Sequence, residues 1–244
     1  MANLPPSAIL RNYIVRSNHD IAAGIFELTL ENTDSEPIPP FKAGQWVGLH
    51  LFNQDGTEWA RAAYSIASAP SDGVMTVRLG IKVERDFTKR AATLKPGDHV
   101  QLQGPFGVFT PSVDAPRLVM FAGGIGITPF LSMIREITAT GRTQEVILFY
   151  SCKTNDGAAY LDELQAIAAK HSNVTLVCTC TRGTDASWRG ETSRIDAGLM
   201  DRFISDYSVG QYLLCGPREF MDTITEILHH KGVQKPHIKR ELFS

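Results

Sequence analysis

Residues 123–129, G-G-I-G-I-T-P, place three glycines between an apolar run and a proline. Gly123, Gly124 and Gly126 allow a tight turn whose backbone N–H groups can face an anion, so the chemistry this loop suits is diphosphate binding. Ile125 and Thr128 share the loop. Pro129 can open the following helix, where its missing N–H costs nothing. Counted from Gly124 the spacing is G-x-G-x-x-P rather than G-x-G-x-x-G. A plain glycine-rich turn is the competing reading, and a strand before the loop with a helix after it favours the phosphate cradle.

A dinucleotide site of this kind often carries an acidic residue at the end of the second strand to hold a ribose hydroxyl. Here that segment reads F-Y-S-C-K-T-N-D, with Lys153 in the place, and Arg182 and Arg194 follow the third strand. Those cations suit the 2′-phosphate of NADPH, with NADH or ordinary surface cations as the alternatives. The four cysteines, Cys152, Cys178, Cys180 and Cys215, have neither zinc-knuckle nor iron–sulfur spacing, and the seven histidines have no metal spacing. Reduced core thiols and no metal are expected. No Ser–His–Asp set or carboxylate pair stands in a motif context.

The elements that must carry these residues change character along the chain. Six short alternating segments lie between residues 9 and 104: I-L-R-N-Y-I-V-R-S, G-I-F-E-L-T-L-E, Q-W-V-G-L-H-L-F, A-R-A-A-Y-S-I-A-S, V-M-T-V-R-L-G-I-K and H-V-Q-L-Q-G. Turn-rich separators such as N-Q-D-G and L-K-P-G-D join them, which predicts an antiparallel barrel with one short helix over 86–92. After a boundary near 111–116, strands at 117–122, 145–151, 174–180 and 211–216, with a short one in 237–242, alternate with helices at 129–140, 160–170, 196–203 and 217–231. That order predicts a parallel sheet with crossover helices, hence an α/β second half. The predicted domains are 1–111 and 112–244.

At 244 residues, 43% hydrophobic and 20% charged, the chain can bury two cores. A net charge of -2 with no basic block argues against nucleic acid or an anionic membrane as partner. No apolar run reaches bilayer length and the first ten residues do not read as a signal peptide, so a soluble cytoplasmic protein is expected.

Taken together and in order, R-A-A-Y-S-I-A-S, D-F-T, G-P-F-G-V-F, G-G-I-G-I-T-P, C-G-P and the terminal E-L-F resemble the ferredoxin–NADP reductase superfamily of flavoenzymes. The resemblance spans nearly the whole chain. It implies a barrel half that binds FAD, FMN in some members, and an α/β half that binds NADPH or NADH. It implies that Tyr64 packs along the flavin and that Ser65 hydrogen-bonds near its N5. Phe87 and Thr88 would adjoin the FAD diphosphate, with Ile81 and Lys82 on the adenine side. Thr128 would approach the flavin from the nicotinamide half. Cys215, with Gly216 and Pro217, would sit by the nicotinamide C4 as a positioning contact, and Phe243 near the flavin face.

The family's arginine stands two residues before the tyrosine, whereas Arg61 stands three before Tyr64. Strand parity therefore puts Arg61 on the opposite face from Tyr64 unless a bulge intervenes, which bears on its contact with the flavin phosphate. The implied reaction is hydride transfer from NAD(P)H to FAD and release of electrons to a separate acceptor: a ferredoxin, a flavodoxin, an oxygenase component, or a small acceptor such as free flavin or a ferric chelate. With the chain ending at Ser244 and no fused iron–sulfur domain in it, a protein acceptor is expected to be a separate molecule. An accessory nucleotide-binding subunit without turnover of its own is the reading from another class.

Overall fold

The computed structural model describes residues 5–183 and 188–242. Six strands make the first half: β1 (Arg11–Ala22), β2 (Ile25–Asn32), β3 (Trp46–Phe52), β4 (Glu58–Ser65), β5 (Thr76–Lys82) and β6 (His99–Phe106), with helix α1 (Asp86–Ala92) between the last two. All their pairings are antiparallel, in the order β4-β3-β6-β1-β2-β5. Just past β4, the Ala67 N–H donates to the Arg78 carbonyl on β5 at 2.8 Å, which draws the two edge strands together and closes the sheet toward a barrel. Alternation decides what fills it. On β3, Val47, Leu49 and Leu51 are buried with Phe26, Leu28, Val77, Leu79 and Leu102, while Trp46, Gly48 and His50 take the other face.

The second half is a five-stranded parallel sheet, β11-β10-β7-β8-β9, formed by β7 (Arg117–Gly123), β8 (Glu145–Cys152), β9 (Val174–Cys180), β10 (Gln211–Cys215) and β11 (Ile238–Glu241). Helices α2 (Ile127–Ala139), α3 (Leu161–Lys170), α4 (Ala197–Asp201) and α5 (Arg218–His230) cover it. Its strands are apolar on both faces because both are covered. Leu118, Met120 and Ala122 join the core beneath α2, whereas Val119 and Phe121 join the core with α4 and α5. Helix α2 begins two residues ahead of Pro129, which is its third residue. The proline still falls among the first four N–H positions, which have no partner within a helix.

The turn from β7 into α2 needs glycine for two separate reasons. Gly124 has φ +56° and open space beside its Cα, a left-handed backbone with room for a ligand. Gly126 needs the missing side chain, since a Cβ there would lie 2.3 Å from the Cys215 carbonyl oxygen. Gly126→Ala is therefore expected to part β10 from α2 and destabilise the protein by about 2 kcal/mol or more. Equilibrium urea unfolding checks this, and Gly124→Ala should be milder.

Candidate active site

A cavity of about 930 Å³ opens along strand β4 and reaches the start of α2. That is the upper end of the ~300–1,000 Å³ range of small-molecule sites, room for an elongated ligand. Its wall includes eight of the sequence-predicted residues: Arg61, Tyr64, Ser65, Lys82, Phe87, Thr88, Ile125 and Thr128.

The register of β3 with β4 runs unbroken from Trp46↔Ser65 to His50↔Arg61. No bulge separates Arg61 from Tyr64, so they do take opposite faces, as parity requires. Both nevertheless line the cavity, because β4 is an edge strand and the cavity wraps around it. On one side stand Arg61 and Ser65 with Trp46, Gly48 and His50 across the ladder. On the other stand Tyr64, Phe87 and Thr88.

The Tyr64 side is aromatic. Tyr64 stacks on Phe87 with centroids 6.0 Å apart, Phe87 on Trp59 at 6.0 Å, and the Arg90 guanidinium lies 4.4 Å from the Trp59 ring centroid. Burial pushes the Tyr64 phenol up to about 12, so it stays a neutral, polar-tipped ring. Thr88 is committed locally: its Oγ1 accepts the N–H groups of Glu84 and Arg85, each at 2.9 Å, and its hydroxyl donates to the Arg85 carbonyl at 2.8 Å. It ties the 84–88 turn into α1 and has already spent its proton there.

The Ser65 side holds two buried polar atoms without partners, Ser65 Oγ and His50 Nε2. Such atoms are costly unless a bound group or water satisfies them. The imidazole is held by Nδ1, 2.7 Å from the Glu58 carboxylate, which can only accept, so Nδ1 donates to it and Nε2 is the ring atom left without a partner. Charge along the wall is mixed. Lys82 pairs with Glu84, whereas Arg61 and Arg85 have no ion-pair partner among the described residues. Glu241 and Leu242 close the end nearest β11, and burial raises the Glu241 carboxyl above the ordinary range.

Other predicted residues lie elsewhere. Ile81, expected on the adenine side, is fully buried in the barrel core, because alternation along β5 sends Lys82 out and its neighbour in. Cys215 does not line the cavity; it ends β10 on the α2 face, 0% exposed, with the thiol raised by burial. Gly123 packs against Pro217 and Gly216, and Pro217 is exposed at the start of α5. Lys153 and Arg182 are exposed and adjacent at the ends of β8 and β9, where the Arg182 N–H donates to the Lys153 carbonyl at 2.8 Å. Arg194 is exposed ahead of α4, and among the described residues no hydrogen bond or ion pair joins it to those two. Phe243 lies outside the described residues.

Residues 120–226 match the oxidoreductase NAD-binding domain family. Ferredoxin–NADP reductase B of Sorangium cellulosum is 30% identical over 227 residues, which cover 89% of this chain and 91% of that protein. The chain belongs to the ferredoxin–NADP reductase superfamily. The glycine betaine monooxygenase reductase subunit of Pseudomonas aeruginosa is 28% identical over 211 residues, 83% of this chain. The match spans only 56% of the length of that subunit. Among solved structures, the flavohem-like FAD/NAD binding domain of nitric oxide dioxygenase from Vibrio cholerae superposes with a TM-score of 0.83 at 20% identity, covering 96% of this chain and 98% of that one. The two-sheet architecture is thus the reductase fold.

Sequence reasoning missed Trp46, Gly48 and His50, which line the cavity from β3. Their alternation with Val47, Leu49 and Leu51 marks them as a non-core face, but only the register sets them opposite Ser65 and Arg61. All four cysteines are free and buried, and burial pushes Cys152 and Cys178 to about 12. Native protein at pH 8 should therefore show no fast-reacting thiol in a disulfide-exchange titration, with Cys152 and Cys178 slower than free cysteine by on the order of a thousandfold. All four should react at once in denaturant.

Proposed function

We propose that this protein is an FAD-dependent NAD(P)H oxidoreductase that passes electrons to a separate acceptor, a ferredoxin, a flavodoxin or an oxygenase component. The observation that carries this reading is the pair of unpartnered buried atoms, Ser65 Oγ and His50 Nε2, on the wall of a dinucleotide-sized cavity that also meets the first turn of α2. They fit a planar ligand with a polar edge. FAD, when bound, supplies a hydride-accepting N5 and can release electrons singly or in pairs.

The chain's own part is to bind and orient. Tyr64 offers a flat neutral ring to the flavin, Ser65 a hydroxyl to its polar edge, and Arg61 and Arg85, without an ion-pair partner among the described residues, two guanidiniums to the diphosphate. Ile125 and Thr128 bring the nicotinamide half to the same cavity, and the open side of Gly124 leaves backbone accessible to the coenzyme phosphates. In this reading residues 1–111 hold FAD and 112–244 hold NAD(P)H. Lys153, Arg182 and Arg194 meet the adenosine end, which favours NADPH.

The Sorangium relative's name supports the ferredoxin route and the Pseudomonas relative's name an oxygenase component as acceptor. No helix among the described residues is long and apolar enough to cross a membrane. Four unpaired cysteines fit the reducing cytoplasm, where we place the protein.

The purified protein is expected to be yellow, to release FAD on denaturation, and to bleach on anaerobic addition of NADPH. A colourless protein that FAD cannot reconstitute would overturn the reading. Ser65→Ala should retain FAD while slowing bleaching about 10- to 100-fold, as expected for loss of a positioned hydrogen bond worth about 1.5–3 kcal/mol. Arg182→Ala should weaken NADPH binding more than NADH binding, by about tenfold for one charge-assisted contact. Equal effects on both coenzymes would remove Arg182 from the site.

A further inference from the structure

One contact between the two halves beside the cavity is built from buried polar groups. Glu27 on β2 is 1% exposed, and both of its carboxylate oxygens are engaged. Arg78 Nε donates to one at 2.9 Å from within the barrel, and the Tyr160 hydroxyl donates to the other at 2.9 Å from the α/β half. Tyr160 precedes α3 with φ +61°, and among the described residues it alone, glycines aside, has a positive φ. Directly across the β2–β5 ladder from Glu27 stands Gly80. A Cβ at that position would lie 2.7 Å from the Tyr160 hydroxyl oxygen and 2.8 Å from Thr128 Cγ2. Gly80 and Thr128 both line the cavity, one from each half.

Adhesion alone does not call for this arrangement. A buried carboxylate and a strained tyrosine backbone are both unfavourable, and apolar residues of similar volume would hold two domains together at least as well. What the polar pair adds is a fixed separation, since a hydrogen bond tolerates little change in length. The tyrosine ring is itself pinned: the Arg135 guanidinium lies 5.8 Å from its centroid, donates to the Ala67 carbonyl of the first half at 2.6 Å, and is held by both oxygens of Glu163 at 2.6 and 2.7 Å.

We propose that Tyr160 and Glu27 form an inter-domain spacer that sets the gap between Gly80 and Thr128, and thereby the distance between flavin and nicotinamide. Both are positioning residues, acting through Gly80 and Thr128. The proposal rests on the function proposed above, and the separation matters because hydride transfer demands near-contact alignment of donor and acceptor atoms.

The test is Tyr160→Phe in the FAD-loaded protein. FAD content and coenzyme Kd are expected to stay within threefold of wild type. The limiting rate of anaerobic flavin reduction should fall at least tenfold, with a changed kinetic isotope effect for C4-deuterated coenzyme. Ser132→Ala is the control, because it removes another inter-domain hydrogen bond, to the Ser68 carbonyl at 2.7 Å, from residues that do not line the cavity. It should leave the limiting rate within twofold. If Tyr160→Phe fails to fold, Gly80→Ala tests the same gap by prising it open, and the same slowing is expected.

A wild-type limiting rate in the gap variants, or equal slowing by Ser132→Ala, would overturn the spacer. If wild-type protein takes up no flavin, the proposed function fails and the spacer is tested on the apo-protein by amide hydrogen exchange. There, Tyr160→Phe is expected to speed exchange around Gly80 and Thr128 at least tenfold, and unchanged exchange would overturn it.

Discussion

The seam beside the site is built around a buried carboxylate that must be satisfied. Glu27 lies inside the seam between two separately cored halves, and it is engaged from both sides, by the Arg78 guanidinium on its own barrel and by a hydrogen bond from Tyr160 of the other half. A carboxylate so placed would be strongly destabilising if either partner withdrew. The pair ties the two halves together beside a cavity whose wall they share.

The shared wall explains the division of chemistry. The barrel contributes aromatic surface, two unpartnered buried polar atoms and two guanidiniums without an ion-pair partner among the described residues, all on or beside strands whose opposite faces are locked into a core. The parallel sheet contributes a glycine turn and the first turn of α2, placed at the carboxyl ends of its strands, where open α/β sheets receive ligands. Neither half encloses the cavity by itself.

Strand parity accounts for two of the departures from expectation. Ile81 and Cys215 each stand beside a residue or turn at the site, yet alternation directs both side chains into cores. Arg61 is the reverse case. Parity puts it on the face away from Tyr64, and it reaches the cavity all the same because β4 is an edge strand around which a ligand can bend. The face rule holds at the edge as well, but there a cavity can reach both faces.

Much of the fold was legible in the chain. Alternating segments and turn residues marked the six barrel strands, and apolar runs separated by helical segments marked the parallel sheet, because burial on one face or two leaves a period in the sequence. The glycine turn was legible as a local motif, while Tyr64, Ser65 and Thr128 were marked through the family resemblance, and the last three line the cavity. Register, edge position and inter-domain contact were not. His50 opposite Arg61, Tyr160 against Glu27 and the clearance at Gly80 join residues 11 to 133 positions apart, whose proximity is decided by how strands pair and domains dock. Local sequence encodes which face is buried; only the assembled chain determines which buried faces meet.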